Sequence, residues 1–221
     1  MLRFDPRIQV PSFLTGILPG ALWRGPSAGR QVFLTFDDGP VPEVTPWVLD
    51  LLKRENIPAC FFCVGENVQR HPDLYQQILD DGHLTGNHSF NHIQGMKTTD
   101  ADYLSNIEKA ARYIDSPFFR PPHGFLRRSQ FRQLRQKYQV VMWDVVSRDY
   151  MPSLSPEQVV RNVLNFVRPG SVIIFHDSLK AKKNLYAALP VVIQALKEKG
   201  YSFGRLADAL KAEDLIQKNK N

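Results

Sequence analysis

Cysteine is scarce in this chain. Two stand among 221 residues, Cys60 and Cys63, too few and too close for a disulfide framework. They spell C-x-x-C within an apolar, β-type run. Residues three apart on a strand point to opposite faces, so the pair reads as packing rather than as a redox or metal motif. Long apolar runs are missing too. The stretch from Phe13 to Trp23 is too short to span a bilayer, and no transmembrane anchor is expected. Asp5, Pro6, Arg7, Pro11 and Pro19 interrupt any signal-peptide pattern, so the chain as written reads as cytoplasmic. Repeats and low-complexity linkers are absent. Acidic residues are outnumbered, 22 against 28 Lys and Arg, for a net charge of +6. The excess is diffuse, apart from Lys180, Lys182 and Lys183 and the C-terminal Lys218 and Lys220. No aromatic-plus-basic pattern of an RNA-binding module accompanies it, so nucleic acid is not an expected partner. Oligomeric state leaves no mark on the sequence.

What is present is ordinary for a globular domain, with 43% hydrophobic and 23% charged residues. Short β-branched runs alternate with helical spacing. Gln31–Phe36 reads as a strand that ends at an Asp-Asp-Gly-Pro turn. Thr45-Pro46 opens a helix running to about Arg54. Further strands are expected at Pro58–Val64, His83–Gly86, Phe118–Arg120, Val140–Trp143, Ser171–Phe175 and Tyr201–Phe203. Helices are expected at Pro72–Asp81, Thr99–Ile114, Ser129–Lys137, after Ser155-Pro156, and at Leu185–Lys199. Ser155 suits an N-cap and Pro156 the first helical position. Such alternation implies an α/β fold with a mostly parallel sheet. About seven units favour a distorted (β/α) barrel over an open sheet, with its chemistry at the C-terminal strand ends. Residues 1–30 read as an extension packed on the domain, 31–210 as the catalytic domain and 211–221 as a charged tail.

The polar residues fall on those strand ends. Asp37 and Asp38 are adjacent carboxylates that repel unless a cation or arginine compensates. Alone, they also suit a turn. His88 and His92 are four apart, a spacing that brings two imidazoles to one side of a helical turn. Alone, they also suit a surface. Together, one carboxylate and two histidines leave coordination positions open, as a catalytic metal site requires. The second carboxylate is then free to act as a base. Arg120, in Phe-Arg-Pro-Pro-His-Gly, suits holding a carboxylate. His176 ends an apolar strand and suits protonating a leaving group, with Asp149 to orient it.

These segments resemble the NodB-type polysaccharide deacetylases, carbohydrate esterase family four. The resemblance runs from about Gln31 to Leu210 and rests on five motifs in order: TFDDG at Thr35–Gly39, HSFNH at His88–His92, RPPHG at Arg120–Gly124, SRDY at Ser147–Tyr150 and IIFH ending at His176. It implies a barrel of fewer than eight strands and removal of N-acetyl groups from an acetylated glycan. It implies Asp37 as catalytic base, with Asp38, His88 and His92 holding one divalent metal ion. Zinc suits such ligands, as would cobalt, nickel or iron. Arg120 would orient Asp37, His176 would be the general acid, and Asp149 would tune it. The His123 main-chain N–H would help hold the oxyanion, and Ser89 would tie the second motif to neighbouring backbone. Two positions depart from the family pattern. His123 stands where an aromatic, often Tyr, is usual. Tyr150 stands where Trp is usual, and can still line an acetyl-methyl pocket.

Two rival functions use the same residues. One is an O-acetyl esterase acting on an acetylated glycan such as xylan. The other is a non-catalytic glycan-binding protein on the same scaffold. That one predicts loss of a motif residue, and none is lost.

Overall fold

A two-residue alternation along β1 (Gln31–Asp37) organises the molecule. Val32, Leu34 and Phe36 join the core beneath the helices, whereas Phe33 joins a separate cluster on the opposite face. Thr35 and Asp37 share that second face, by the pleat of the strand. The same division holds on β2 (Ala59–Cys63): Ala59, Phe61 and Cys63 face the helices, and Cys60 and Phe62 face inward. The two cysteines are free, buried and on opposite faces, as the strand spacing predicts.

The computed structural model describes residues 5–26 and 29–210. After β1 come α1 (Thr45–Glu55), β2, α2 (Gly65–Arg70), α3 (Pro72–Asp80), β3 (Leu84–Asn87), α4 (Asp100–Ala110), β4 (Phe118–Phe119) and α5 (Arg128–Leu134). Then follow β5 (Gln139–Val140), β6 (Val145–Val146), α6 (Pro156–Leu164), β7 (Val172–His176), α7 (Lys182–Glu198) and β8 (Ser202–Phe203). Seven strands pair in the order β5-β4-β3-β2-β1-β7-β6, and β8 adds to the start of β1. Every pairing is parallel. The sheet curls into the expected distorted (β/α) barrel.

Local chemistry starts several of these elements. Ser155 caps α6 by accepting from the Gln158 N–H, and Gln158 returns the bond, with Pro156 at the first turn. In α7, Leu185, Ala188, Leu189, Val192, Ile193 and Leu196 are buried at helical spacing and seal the outer face of the sheet. Fully burying one such leucine contributes about 1.5–3 kcal/mol.

The barrel does not close on itself. β5 and β6 are neighbours in sequence but lie at opposite edges of the sheet. The N-terminal segment runs along this seam. Leu22 bridges to Val141 and Gln9 to Val145, and Arg24 bridges to Ser171. These contacts use edge N–H and C=O groups that would otherwise be open to stray pairing. The single strand expected at Val140–Trp143 is thus replaced by two short strands flanking a crossover. Helix α2, six residues long, also lies outside the expected elements. It is too short to show a helical period. Among the described residues no helix is long and apolar enough to cross a membrane. The tail at 211–221, with Lys218 and Lys220, lies outside the described residues.

Candidate active site

Strand register brings the polar residues together. Asp37 ends β1 and pairs in register with His176, which ends β7. His88 follows β3, Arg120 follows β4, and Asp149 lies three residues beyond β6. A cavity of about 600 Å3 opens over these strand ends, lined by Asp37, Asp38, His88, His92, His123, Tyr150 and His176 among others.

Asp38, His88 and His92 each offer a ligand atom, all within 4.8 Å of one another. Among the described residues no other group of three His, Cys, Asp or Glu side chains does so. The His92 Nε2 lies 3.2 Å and the His88 Nε2 3.8 Å from Asp38 Oδ1. Ligands each about 2 Å from one ion stand at comparable separations. The His88 Nδ1 is 2.8 Å from the Arg120 carbonyl oxygen. That bond makes Nδ1 the protonated nitrogen and leaves the Nε2 lone pair facing the cavity. Burial, outweighing the nearby Asp37, pushes His88 down to about 4, so the ring is neutral and able to ligate. Asp38 is held below its ordinary value: burial opposes its charge, but His176, His88 and His92 together prevail.

The spacing of His88 and His92 does not work through a helix. Residues 88–92 form a loop, and Ser89 and His92 both have left-handed backbone, at φ 63° and 57°. Asp38 (φ 84°), His123 (φ 60°) and Arg148 (φ 61°) share that conformation. Non-glycine residues adopt it at a cost that surrounding structure must impose. Here it turns both rings toward one carboxylate. The Ser89 hydroxyl is buried without a partner. Main-chain groups tie the motif instead: the Ser89 N–H donates to Asn87 Oδ1, and its carbonyl accepts from the Gly65 N–H.

Arg120 is fully buried. Its Nη1 donates to Asp37 Oδ1 at 2.6 Å and to Thr35 Oγ1 at 2.8 Å. Its Nε and Nη2 donate to the carbonyls of Val141 and Met142. The guanidinium lies 3.9 Å from the centre of the Phe62 ring. Held by these four bonds, it fixes one oxygen of Asp37 and leaves Oδ2 toward the cavity.

His176 and Asp149 form a second pair. The His176 Nδ1 is 2.8 Å from Asp149 Oδ1, and the His176 N–H donates to Oδ2. The Ser147 hydroxyl and Tyr150 N–H also donate to Oδ1. Burial works against a charged His176, but Asp149 more than compensates, with help from Asp38, and pushes it up to about 9. Tyr150 stands edge-on to His176, with ring centres 4.7 Å apart. His123 packs beside His92, with ring centres 4.5 Å apart. Burial, with help from His92, lowers its basicity.

One participant was not anticipated. Asp177, next to His176, is fully buried. Its Oδ1 accepts from the Gly39 N–H and its Oδ2 from the Thr45 hydroxyl, at 3.1 and 2.6 Å. It clasps the turn that carries Asp38. Burial pushes its carboxyl up to about 8. A Cβ on Gly39 would run into its carboxylate, so only glycine lets the turn lie this close. The Asp-Gly-Pro signal reads as a turn, but its anchor lies 138 residues away.

A buried Asp–Arg pair and an Asp–His pair lie beside three residues that could hold a metal ion, at the strand ends where (β/α)-barrel enzymes place their chemistry. Comparison with known proteins narrows this. The family model described as polysaccharide deacetylase matches residues 24–143, and the chain belongs to that family. A peptidoglycan-N-acetylglucosamine deacetylase of Bacillus cereus is 33% identical over 197 residues, covering 86% of this chain and 92% of the relative. The peptidoglycan-N-acetylmuramic acid deacetylase PdaA of Bacillus subtilis is 29% identical over 200 residues, covering 86% and 75%. A crystal structure of a peptidoglycan N-acetylglucosamine deacetylase, in complex with 4-naphthalen-1-yl-N-oxidanyl-benzamide, superposes with a TM-score of 0.83. It is 32% identical and covers 90% of this chain and 96% of the other.

Proposed function

We propose that the protein removes N-acetyl groups from N-acetylglucosamine-containing polysaccharide or oligosaccharide, peptidoglycan or chitin-like, releasing acetate with the aid of one divalent metal ion. The observation that carries this reading is the meeting of the Asp37–Arg120 and Asp149–His176 pairs around the Asp38, His88 and His92 donor set. The donors suit zinc, and suit cobalt, nickel or iron as well. The names of the relatives point to peptidoglycan, at its glucosamine or its muramic acid residues.

When bound, the ion would polarise the acetyl carbonyl and make a coordinated water more acidic. Asp37, unprotonated and held by Arg120, takes the proton from the attacking water. The oxyanion that develops accepts a hydrogen bond from the His123 main-chain N–H. Tyr150 packs against the acetyl methyl. His176, its Nδ1 held by Asp149, gives the Nε2 proton to the departing amine. Two pairs with distinct partners let a base and an acid work in one cavity.

The test is acetate release by the metal-loaded protein from peptidoglycan fragments, chitooligosaccharides and acetylxylan. Release from the first or second supports the reading. Release from acetylxylan alone would make the protein an O-acetyl esterase, and release from none would leave it a glycan-binding scaffold.

A further inference from the structure

Asp38 carries its carboxylate on left-handed backbone, at φ 84°, a conformation that a residue other than glycine keeps only where its surroundings impose it. The two peptide groups flanking Asp38 set that angle, and both are tied to distant parts of the chain. In the peptide before it, the Asp37 carbonyl accepts from the Asp177 N–H at 3.1 Å. The peptide after it is held at both ends. Its carbonyl, on Asp38, accepts from Asn67 Nδ2 at 2.8 Å. Its N–H, on Gly39, donates to Asp177 Oδ1 at 3.1 Å.

The two holders reach this peptide from opposite sides of β1. Asn67 lies on α2, beyond β2, and Asp177 lies directly after β7. β2 and β7 are the two strands that flank β1. A carbonyl oxygen only accepts, so the end of the Asn67 amide that faces it is the NH2. Neither Asn67 nor Asp177 lines the catalytic cavity, so neither is placed to meet a substrate or an ion there. What they govern is the aim of Asp38. Turning the Asp38–Gly39 peptide over would let Asp38 relax to an ordinary φ, but it would break both bonds and swing the carboxylate away from His88 and His92.

We infer that Asn67 and Asp177 are positioning residues for the cation site, on the reading above of Asp38, His88 and His92 as metal ligands. They lock the Asp38–Gly39 peptide and so hold the Asp38 carboxylate in its ligating direction independently of the ion. A ligand group ordered in advance costs less to order on binding, so the two holders act on metal affinity.

The experiment titrates cobalt(II) into the metal-stripped full chain and follows the visible absorption of the bound ion, which reports affinity and ligand arrangement together. Asn67→Ala removes the donor to the Asp38 carbonyl, and alanine suits the helix it stands on. Asp177→Ala removes the acceptor for the Gly39 N–H. Asp177→Asn keeps that acceptor and offers the Thr45 hydroxyl oxygen an amide donor. The two alanine variants should bind cobalt about ten-fold more weakly or worse, the scale for removing a group behind a metal ligand, and their absorption at saturation should differ from wild type. Asp177→Asn should stay close to wild type in both. Circular dichroism and thermal unfolding of the metal-free proteins verify the fold, since a loss of stability alone leaves the affinity of folded molecules unchanged. Should Asp177→Ala fail to fold, Asn67→Ala, at a half-buried helical position, decides. Wild-type affinity and absorption in folded Asn67→Ala overturn the inference. A loss in Asp177→Asn as large as in Asp177→Ala would trace the effect to charge rather than to the grip on Gly39, and overturns it too. A wild type that takes up cobalt but releases no acetate ends the glycan reading and leaves this comparison standing. A wild type that takes up no cobalt removes the metal site and this inference with it.

Discussion

Arg120 Nη1 donates to Asp37 Oδ1 at 2.6 Å, and both side chains are shut away from solvent. The guanidinium donates as well to Thr35, Val141 and Met142. One residue thus links β1 to the chain beyond β5 through the inside of the barrel. A buried ion pair of this kind positions a group more than it stabilises the fold.

Removing the arginine would strand a buried carboxylate. Arg120→Ala should destabilise the protein by about 3–5 kcal/mol and lower kcat more than it raises KM. Arg120→Lys keeps the charge but lacks the planar fork that reaches four oxygens, so it should not restore turnover. Denaturant unfolding and steady-state kinetics check both. Wild-type kcat in Arg120→Lys would mean that charge alone suffices.

Asp37 and Asp38 are neighbours with separate partners. Asp37→Asn should keep metal affinity near normal while activity collapses, because the base is lost. Asp38→Asn should weaken metal binding, with part of the activity returning at high metal concentration. Chelator competition and acetate release separate the two. Chelation should also lower the Tm of wild type, since a ligand bound only by the native state stabilises it, and that shift should shrink in Asp38→Asn. Near wild-type turnover in fully loaded Asp37→Asn would remove its role as base.

His176, pushed up to about 9, sets the expected alkaline limit. A general acid must be protonated, so kcat/KM should decline as pH rises through that value, and His176→Ala should abolish or move this limb. The linked effect on stability has a definite sign. The folded-state value lies above the ordinary 6.5, so charged His176 contributes its full stabilisation below about pH 6.5. That contribution is lost as pH rises through about 9. The stability gap between wild type and His176→Asn should therefore narrow across this window. A gap that widened there would contradict the His176–Asp149 pairing.

Gly39 touches Asp177 so closely that a methyl group must displace one of them. Gly39→Ala should cost about 1–3 kcal/mol, the scale of an overpacked site, and should loosen metal binding through the adjacent Asp38. In an Asp177→Ala background the added methyl finds room, so the two substitutions should be strongly non-additive. Urea denaturation of the four proteins measures the coupling. Simple additivity would show that the contact does not hold the turn.

Much of the barrel was legible in the chain. The alternation in Gln31–Asp37 and Ala59–Cys63 marks buried two-faced strands, and Ser155 with Pro156 marks the start of α6. These are local signals. β6 was not legible, since two valines after a crossover carry no period. The pairing of residues 8–24 with the barrel seam was invisible too, because nothing in Leu22 or Gln9 indicates a partner more than a hundred residues away. For the site, Asp37, Arg120 and His176 stand out as polar residues after apolar runs, Asp38 as a carboxylate adjoining another, His88 and His92 by their spacing, and Asp149 by its motif. Asp177 did not, because a carboxylate beside a histidine reads as solvent-facing until the Gly39 N–H and Thr45 hydroxyl are found beneath it.

By itself the sequence determined the strand–helix alternation, the two-faced strands, and the residue types at their ends. Those properties follow from side-chain polarity read at periods of 2 and 3.6, which neighbouring residues set between themselves. Only the tertiary structure decided which carboxylate meets Arg120, which meets His176, and that His88 and His92 converge through left-handed backbone rather than a helical turn. It decided as well that Asn67 and Asp177 grip the peptide between Asp38 and Gly39. These outcomes depend on strand register and on partners far apart in the chain. A register shift of one residue would turn Asp37 from the barrel interior to the helices, and no local pattern encodes that choice.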